Sequence, residues 1–182
     1  MGNNRGSKYS NTHLTLSNKE KAYWDFYQED MGTKDLPTFI DFILENTGHE
    51  TISYVGHSDG TTQMFLGASL KPDYFKQRIN LFVALAPCSI QVGMGEAMIE
   101  ASKHIKLIEL AVVHELGFYN WFAPIPLADS AIDVVCDLVP DVCKYVMKHV
   151  HNRDGVDNPE RFDVFMSQEP SGQSYRTFVW QA

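Results

Sequence analysis

The sequence predicts an α/β protein, a parallel sheet with flanking helices followed by a mostly helical region. Three observations predict it. A β-branched and aromatic run, Thr51-Ile52-Ser53-Tyr54-Val55, leads into Gly56-His57-Ser58-Asp59-Gly60 and then into a helical-looking run from Thr61 to about Leu70. A second apolar run, Ile79-Asn80-Leu81-Phe82-Val83-Ala84-Leu85-Ala86, reads as a buried strand ended by Pro87. The order helix, strand, turn, helix, strand places a crossover helix between the strands, which implies parallel pairing.

The elements follow in order. Residues 1–18 are polar and turn-rich and read as a loop that something must pack against to order it. Residues 19–30 carry Tyr23, Trp24, Phe26 and Tyr27 and read as a short helix. Asp35-Leu36-Pro37 reads as a helix start, with Asp35 as cap and proline in the first turn. Leu36, Phe39, Ile40, Ile43 and Leu44 then form one apolar stripe, and Gly48 suits the left-handed residue that ends a helix. The strand over 51–57, the turn and its helix come next, and Pro72-Asp73 breaks that helix. Two strands cannot make a parallel sheet covered on both faces, so further sheet is expected. From about Met94 the texture changes. Residues 96–110 and 130–150 read as helical, separated by the aromatic and proline-rich segment at 118–126, with no strand alternation. The tail from 152 to 182 reads as loops and short turns.

Composition narrows the function. A net charge of -8 argues against a nucleic-acid partner. The first eight residues hold no apolar core of a signal peptide, and Gly6 stands where a myristoylation signal needs Ser or Thr. No apolar run is long enough to span a membrane, and no Asn-x-Ser/Thr acceptor occurs. Of Cys88, Cys136 and Cys143, the last two are near enough in sequence for a local disulfide in an oxidising compartment. Buried thiols in a reduced protein fit equally well. The absence of Cys-x-x-Cys spacing argues against zinc, and no metal or cofactor is expected.

The chemistry concentrates in Gly56-His57-Ser58-Asp59-Gly60. Strand, Gly-x-Ser-x-Gly, helix is the context of a nucleophile elbow, in which a tight, strained turn projects the serine Oγ from the sheet edge. The glycines on either side let strand and helix approach without Cβ clashes. Ser58 is then the candidate nucleophile, and the backbone N–H of Asp59 the candidate oxyanion donor. The alternative is a tight βα turn with Ser58 as an ordinary helix cap.

Several segments resemble the acid lipase family, the gastric and lysosomal lipases with an α/β-hydrolase fold. Gly2-Asn3-Asn4-Arg5-Gly6-Ser7-Lys8-Tyr9-Ser10 is similar to that family's G-N-x-R-G-N-x-[YW]-S. Asp35-Leu36-Pro37-Thr38-Phe39-Ile40-Asp41-Phe42-Ile43 resembles D-L-P-A-x-I-D-F-I. Tyr54-Val55-Gly56-His57-Ser58-Asp59-Gly60-Thr61-Thr62 resembles Y-V-G-H-S-Q-G-T-T, and Ala84-Leu85-Ala86-Pro87 the strand after it. Arg161-Phe162-Asp163-Val164-Phe165-Met166-Ser167 with Pro170-Ser171-Gly172-Gln173-Ser174 resembles R-x-D-V-Y-x-S-H-x-P-A-G-T-S. The likeness is closest before residue 90 and after 160.

The resemblance implies a partial α/β-hydrolase core over 1–93, a helical cap over 94–167 and a return segment over 168–182. It implies a serine esterase acting on triacylglycerols or cholesteryl esters, with Ser58 as nucleophile and Asp59 as oxyanion donor. It also implies contact with a lipid interface. The family is secreted or lysosomal, whereas this sequence shows no export signal, so the compartment stays open. Two departures qualify it. Asp59 stands where the family has Gln, and a carboxylate beside a developing oxyanion is unfavourable unless solvated or paired; alternatively its side chain turns away into a cap contact. The family's second oxyanion donor precedes the Gly2-Asn3 segment, and its catalytic Asp and His follow the segment matched by Val179-Trp180-Gln181-Ala182. The expectation is therefore an incomplete, weakly active or inactive hydrolase. The alternative is a non-catalytic scaffold whose sheet edges a partner chain covers. No stand-in base is evident. His57 should point into the fold. His104, His114, His149 and His151 read as surface or satisfied histidines, and Asp129, Asp133, Asp137 and Asp141 as a solvated helix face.

Overall fold

The structure is a computed structural model that describes residues 3–88, 103–121, 139, 141 and 171–177. The chain divides into two compact units, Met1–Trp121 with Gln173–Ala182, and Phe122–Gly172. The described residues lie almost entirely in the first. The helix expected over 130–150 therefore falls outside the described residues, apart from 139 and 141, as do Cys136 and Cys143.

In the first unit Gln28–Asp30, Met31–Asp35 and Leu36–Thr47 are consecutive helical segments, taken here as one helix, α1. Strand β1 (Ile52–His57), helix α2 (Asp59–Leu70), helix α3 (Pro72–Arg78) and strand β2 (Ile79–Leu85) follow. Helix α4 (Ile105–Glu109) continues into a wide turn at Leu110–Glu115. Strand β3 (Asn120–Trp121) pairs antiparallel with β4 (Gln173–Ser174). Strands β1 and β2 pair in parallel, with Tyr54 opposite Phe82, Gly56 opposite Ala84 and His57 opposite Leu85. Among the described residues this is a two-stranded sheet, the parallel pairing that the crossover helices demand.

Helix α1 corrects the expected start at Asp35. That residue is itself helical, at φ -68° and ψ -50°, and caps nothing. Pro37 explains the disguise. Inside a helix its ring clashes with the carbonyl four residues back and it offers no N–H. The chain relieves this with a π turn at Met31–Asp35, where the Leu36 N–H reaches back five residues to the Met31 carbonyl. The helix ends where expected, at Gly48, left-handed with φ 71° and its N–H on the Leu44 carbonyl at 2.9 Å. Leu36 and Ile40 are buried and Leu44 packs beside them, but Ile43 is 41% exposed, so the stripe is narrower than the sequence suggested.

The expected helix over 19–30 is also corrected. Lys21–Trp24 is one 3-10 turn, and α1 begins only at Gln28. Tyr23, Trp24 and Phe26 are all buried while Tyr27 is 40% exposed. The three buried rings join Met31, Val113 and Tyr175 in one cluster. That cluster orders the N-terminal loop. The Trp24 indole N–H donates to the Asn18 carbonyl at 2.7 Å, and the Tyr23 hydroxyl to that of Ser10 at 3.4 Å. Arg5 forks onto Asp35, its Nε 2.9 Å from both carboxylate oxygens. The segment around Tyr175, expected as loop, contributes a fully buried ring and the β3–β4 ladder. Two-residue strands are too short to show alternation.

The second cluster places the sheet edge. Leu36 and Ile40 of α1, Met64 of α2 and Phe75 of α3 are buried together, with Ile52, Tyr54, Ile79 and Phe82 of the strands against them. Helices α1 and α2 cross at two glycines. A Cβ on Gly67 would lie 2.6 Å from the Gly32 carbonyl oxygen, and one on Gly32 would lie 2.7 Å from that of Gln63. Helix α3, which the sequence reading took only as a break, is a separate helix with Pro72 in its first turn. Strand β2 is less buried than its apolar run implies, since Leu81 is 54% and Leu85 48% exposed.

Candidate active site

Gly56 ends the tight part of β1. A Cβ there would lie 2.9 Å from the Gly60 carbonyl oxygen and 2.9 Å from the Tyr54 ring, so only glycine lets strand and helix close to this distance. The second glycine is less constrained, because a Cβ on Gly60 would meet only the Tyr54 hydroxyl at 3.5 Å, an ordinary contact. That hydroxyl donates to the Gly60 carbonyl at 3.0 Å and ties strand to helix. Burial first, and the charge of Asp59 second, push the Tyr54 phenol above its usual range, so it stays protonated as the donor.

Ser58 sits between β1 and α2 at φ 50° and ψ -117°. A non-glycine residue there costs about 1–3 kcal/mol and persists only where its surroundings over-determine it. They do. The Ser58 N–H donates to the Leu85 carbonyl at 3.0 Å, at the end of β2. Its carbonyl accepts from the Thr61 N–H at 2.9 Å and from the Thr61 hydroxyl at 2.6 Å. Ser58 does not cap α2 through its side chain. Ser58 holds the N-cap position without the side-chain bond of an ordinary serine cap, so its hydroxyl is left for other contacts.

Asp59 opens α2, where helix N–H groups have no partner four residues back. Its carboxylate turns towards α1 and the next turn of α2. It accepts from the Gln28 side-chain amide of α1 and from the Gln63 amide at 2.8 Å. Gln28 and Gln63 are buried, and Gln28 Oε1 has no hydrogen-bond partner among the described residues, because the amide presents its NH2 end to the carboxylate. The sequence reading did not single out either glutamine. Gln63 stands four residues after Asp59 on the same helix, a spacing that brings the two side chains together, whereas Gln28 comes from a different helix and no spacing announces it.

The other candidate residues stay apart from Ser58. His57 is exposed on β1, not turned into the fold as expected: it continues the strand's in–out alternation with Ser53 and Val55, while Gly56 takes the buried side. His104, His114 and Asp141 are exposed. His149, His151, Asp129, Asp133 and Asp137 lie outside the described residues. Among the described residues the partner of the Ser58 hydroxyl is the Cys88 thiol, at 3.6 Å. No described residues gather three or more His, Cys, Asp or Glu at one point as a metal would require. No described helix is long and apolar enough to cross a membrane.

A family described as the alpha/beta hydrolase fold matches residues 1–127. The chain belongs to the α/β-hydrolase family. Its similarities within that family are to acid lipases. Over 98% of this hydrolase chain it is 47% identical to human lysosomal acid lipase/cholesteryl ester hydrolase and 35% identical to human lipase member K, spanning 45% of each. Over 99% of its length it is 33% identical to mouse gastric triacylglycerol lipase, spanning 46% of it. The chain thus spans less than half the length of the curated relatives it matches.

Proposed function

We propose that this α/β-hydrolase chain carries the nucleophile of a lipase-type carboxylic ester hydrolase acting on apolar esters, triacylglycerols or cholesteryl esters. The observation that carries the reading is the backbone of Ser58, at positive φ between a parallel strand and the helix that follows it. Ser58 Oγ attacks the ester carbonyl carbon while its proton passes to a base. The carbonyl oxygen becomes the oxyanion that the Asp59 N–H faces. Collapse expels the alcohol and leaves an acyl-serine, which water hydrolyses. Residues 94–167 serve as the cap over the acyl chain, with 1–93 as core and 168–182 as the return to it.

A serine without a base is a poor nucleophile, and among the described residues no histidine bonds Ser58. General acid–base assistance contributes roughly 10²–10⁴-fold where a base reaches such a hydroxyl. The test is p-nitrophenyl butyrate hydrolysis by the chain and by Ser58→Ala. Slow turnover that Ser58→Ala abolishes supports the reading. Turnover that survives the substitution overturns it.

A second reading rests on the sheet. Val55, Leu81 and Leu85 expose 48–63% of their area on β1 and β2. A scaffold without turnover, its apolar strands covered by a partner chain, accounts for that exposure. Absence of any Ser58-dependent turnover, with self-association in light scattering, favours this reading.

A further inference from the structure

The first turns of α2 lie against Gln28, Met31 and Gly32 of α1, and the close crossing at Gly32 and Gly67 brings them there. Two buried glutamines meet the Asp59 carboxylate at this contact. Gln28 donates to one carboxylate oxygen from across the two helices, and Gln63 donates to the other at 2.8 Å from within α2. The Gln63 amide nitrogen also donates to the Met31 sulfur at 3.8 Å, which fixes the amide's orientation. Gln28 turns its NH2 end to the carboxylate although its buried Oε1 is then left without a partner among the described residues. An unpaired buried acceptor is unfavourable, so the charge at Asp59 is what this arrangement answers.

We infer that Gln28 and Gln63 are positioning residues for the oxyanion site: they hold the Asp59 carboxylate on the α1 side of α2, so that the Asp59 N–H receives the oxyanion without the side-chain charge turning to meet it. The inference rests on Ser58 being the nucleophile and the Asp59 N–H the oxyanion donor. The N–H and the carboxylate belong to one residue, so the chain itself sets a negative charge next to the serine. Two negative charges repel more strongly as they approach and as water is excluded. The two amides, with the N–H groups that open α2, stabilise the carboxylate and fix where its charge lies. Neither glutamine belongs to the Gly-x-Ser-x-Gly pattern, and neither touches the reacting atoms.

Two measurements on the full chain test it. The first is the rate at which a fluorophosphonate marks Ser58. Gln63→Met, similar in volume and unable to donate, is expected to slow marking about tenfold while Asp59 is present. In Asp59→Asn, which removes the charge and keeps the shape, adding Gln63→Met is expected to change the rate by less than about twofold. Gln28→Met should follow the same pattern. A glutamine that serves packing alone slows both backgrounds alike. Equal slowing, or no slowing with Asp59 present, therefore overturns the inference. The second measurement does not depend on ester chemistry. In Ser58→Ala, Gln63→Met is expected to lower the thermal midpoint by about 3–6 °C with Asp59 present, and by less than half as much in Asp59→Ala. Equal losses in the two backgrounds overturn the inference whatever Ser58 does. If the unsubstituted chain is not marked at Ser58, the nucleophile reading is what fails, and the midpoints alone decide whether the glutamines hold the carboxylate.

Discussion

Ser58 is held at positive φ by hydrogen bonds from two directions, one to the end of β2 and two from Thr61. That local strain predicts an unusual ranking of variants. Ser58→Gly should be more stable than Ser58→Ala by about 1 kcal/mol in urea denaturation, because only glycine adopts this backbone without a Cβ penalty. Equal stabilities would mean that residue 58 relaxes in solution. The elbow itself was legible in the sequence, because its glycines and serine fall between a β-branched run and a helical one. Asp59 was legible only as a departure. That its carboxylate pairs with Gln63 follows from their i, i+4 spacing on α2, but the Gln28 partner depends on how α1 packs on α2, and no local pattern encodes that. Cys88 was invisible for a similar reason, since its approach to Ser58 depends on a left-handed alanine at position 86.

At the scale of elements, the contact that sets the depth of α2 is its crossing with α1. Gly67→Ala should cost roughly 1–3 kcal/mol, since its Cβ would enter the Gly32 carbonyl and the Phe75 ring, neither of which can move cheaply. Gly60→Ala should cost far less, because its Cβ meets nothing closer than 3.5 Å and alanine is the better helix former. Paired urea titrations of the two variants check this, and a larger cost at Gly60 would contradict the packing described. The N-terminal loop depends on a different interaction. The Asp35 carboxylate, only 13% exposed, receives the Arg5 fork, and that hydrogen bond is the main cause that raises the guanidinium pKa further. Arg5→Ala should cost roughly 1–3 kcal/mol, the penalty of leaving a mostly buried acceptor unpaired, and Arg5→Lys should recover only part of it. Asp35 reads as a cap because Asp before a first-turn proline marks a helix start, whereas here the helix already runs from Gln28 and widens into a π turn ahead of Pro37.

At the scale of the molecule, four tyrosines among the described residues share one property. Tyr23, Tyr54, Tyr74 and Tyr175 all have phenols raised above the usual value, burial being the largest cause in each. Tyr74 shows the strongest shift, because its hydroxyl also donates to Asp41 at 2.7 Å. The neutral phenol is the form the fold favours. Its stabilisation is complete below the ordinary tyrosine pKa of about 10 and is lost as pH rises through the folded-state values. Thermal midpoints should therefore fall above about pH 10, and Tyr74→Phe should flatten that fall. An unchanged alkaline limb in Tyr74→Phe would contradict the assignment. The parallel β1–β2 pairing and the helices around it were readable from periodicity. The joining of Asn120–Trp121 to Gln173–Ser174 was not, since a two-residue ladder between distant segments leaves no period to detect.

The most direct measurement on the account as a whole is where a serine-directed electrophile attaches. The chain is treated with a fluorophosphonate and digested, and the modified peptide is sequenced by mass spectrometry. The account predicts one adduct, on Ser58, that disappears in Ser58→Ala while the folded state persists. Attachment at another residue, or an equal adduct in Ser58→Ala, would contradict it.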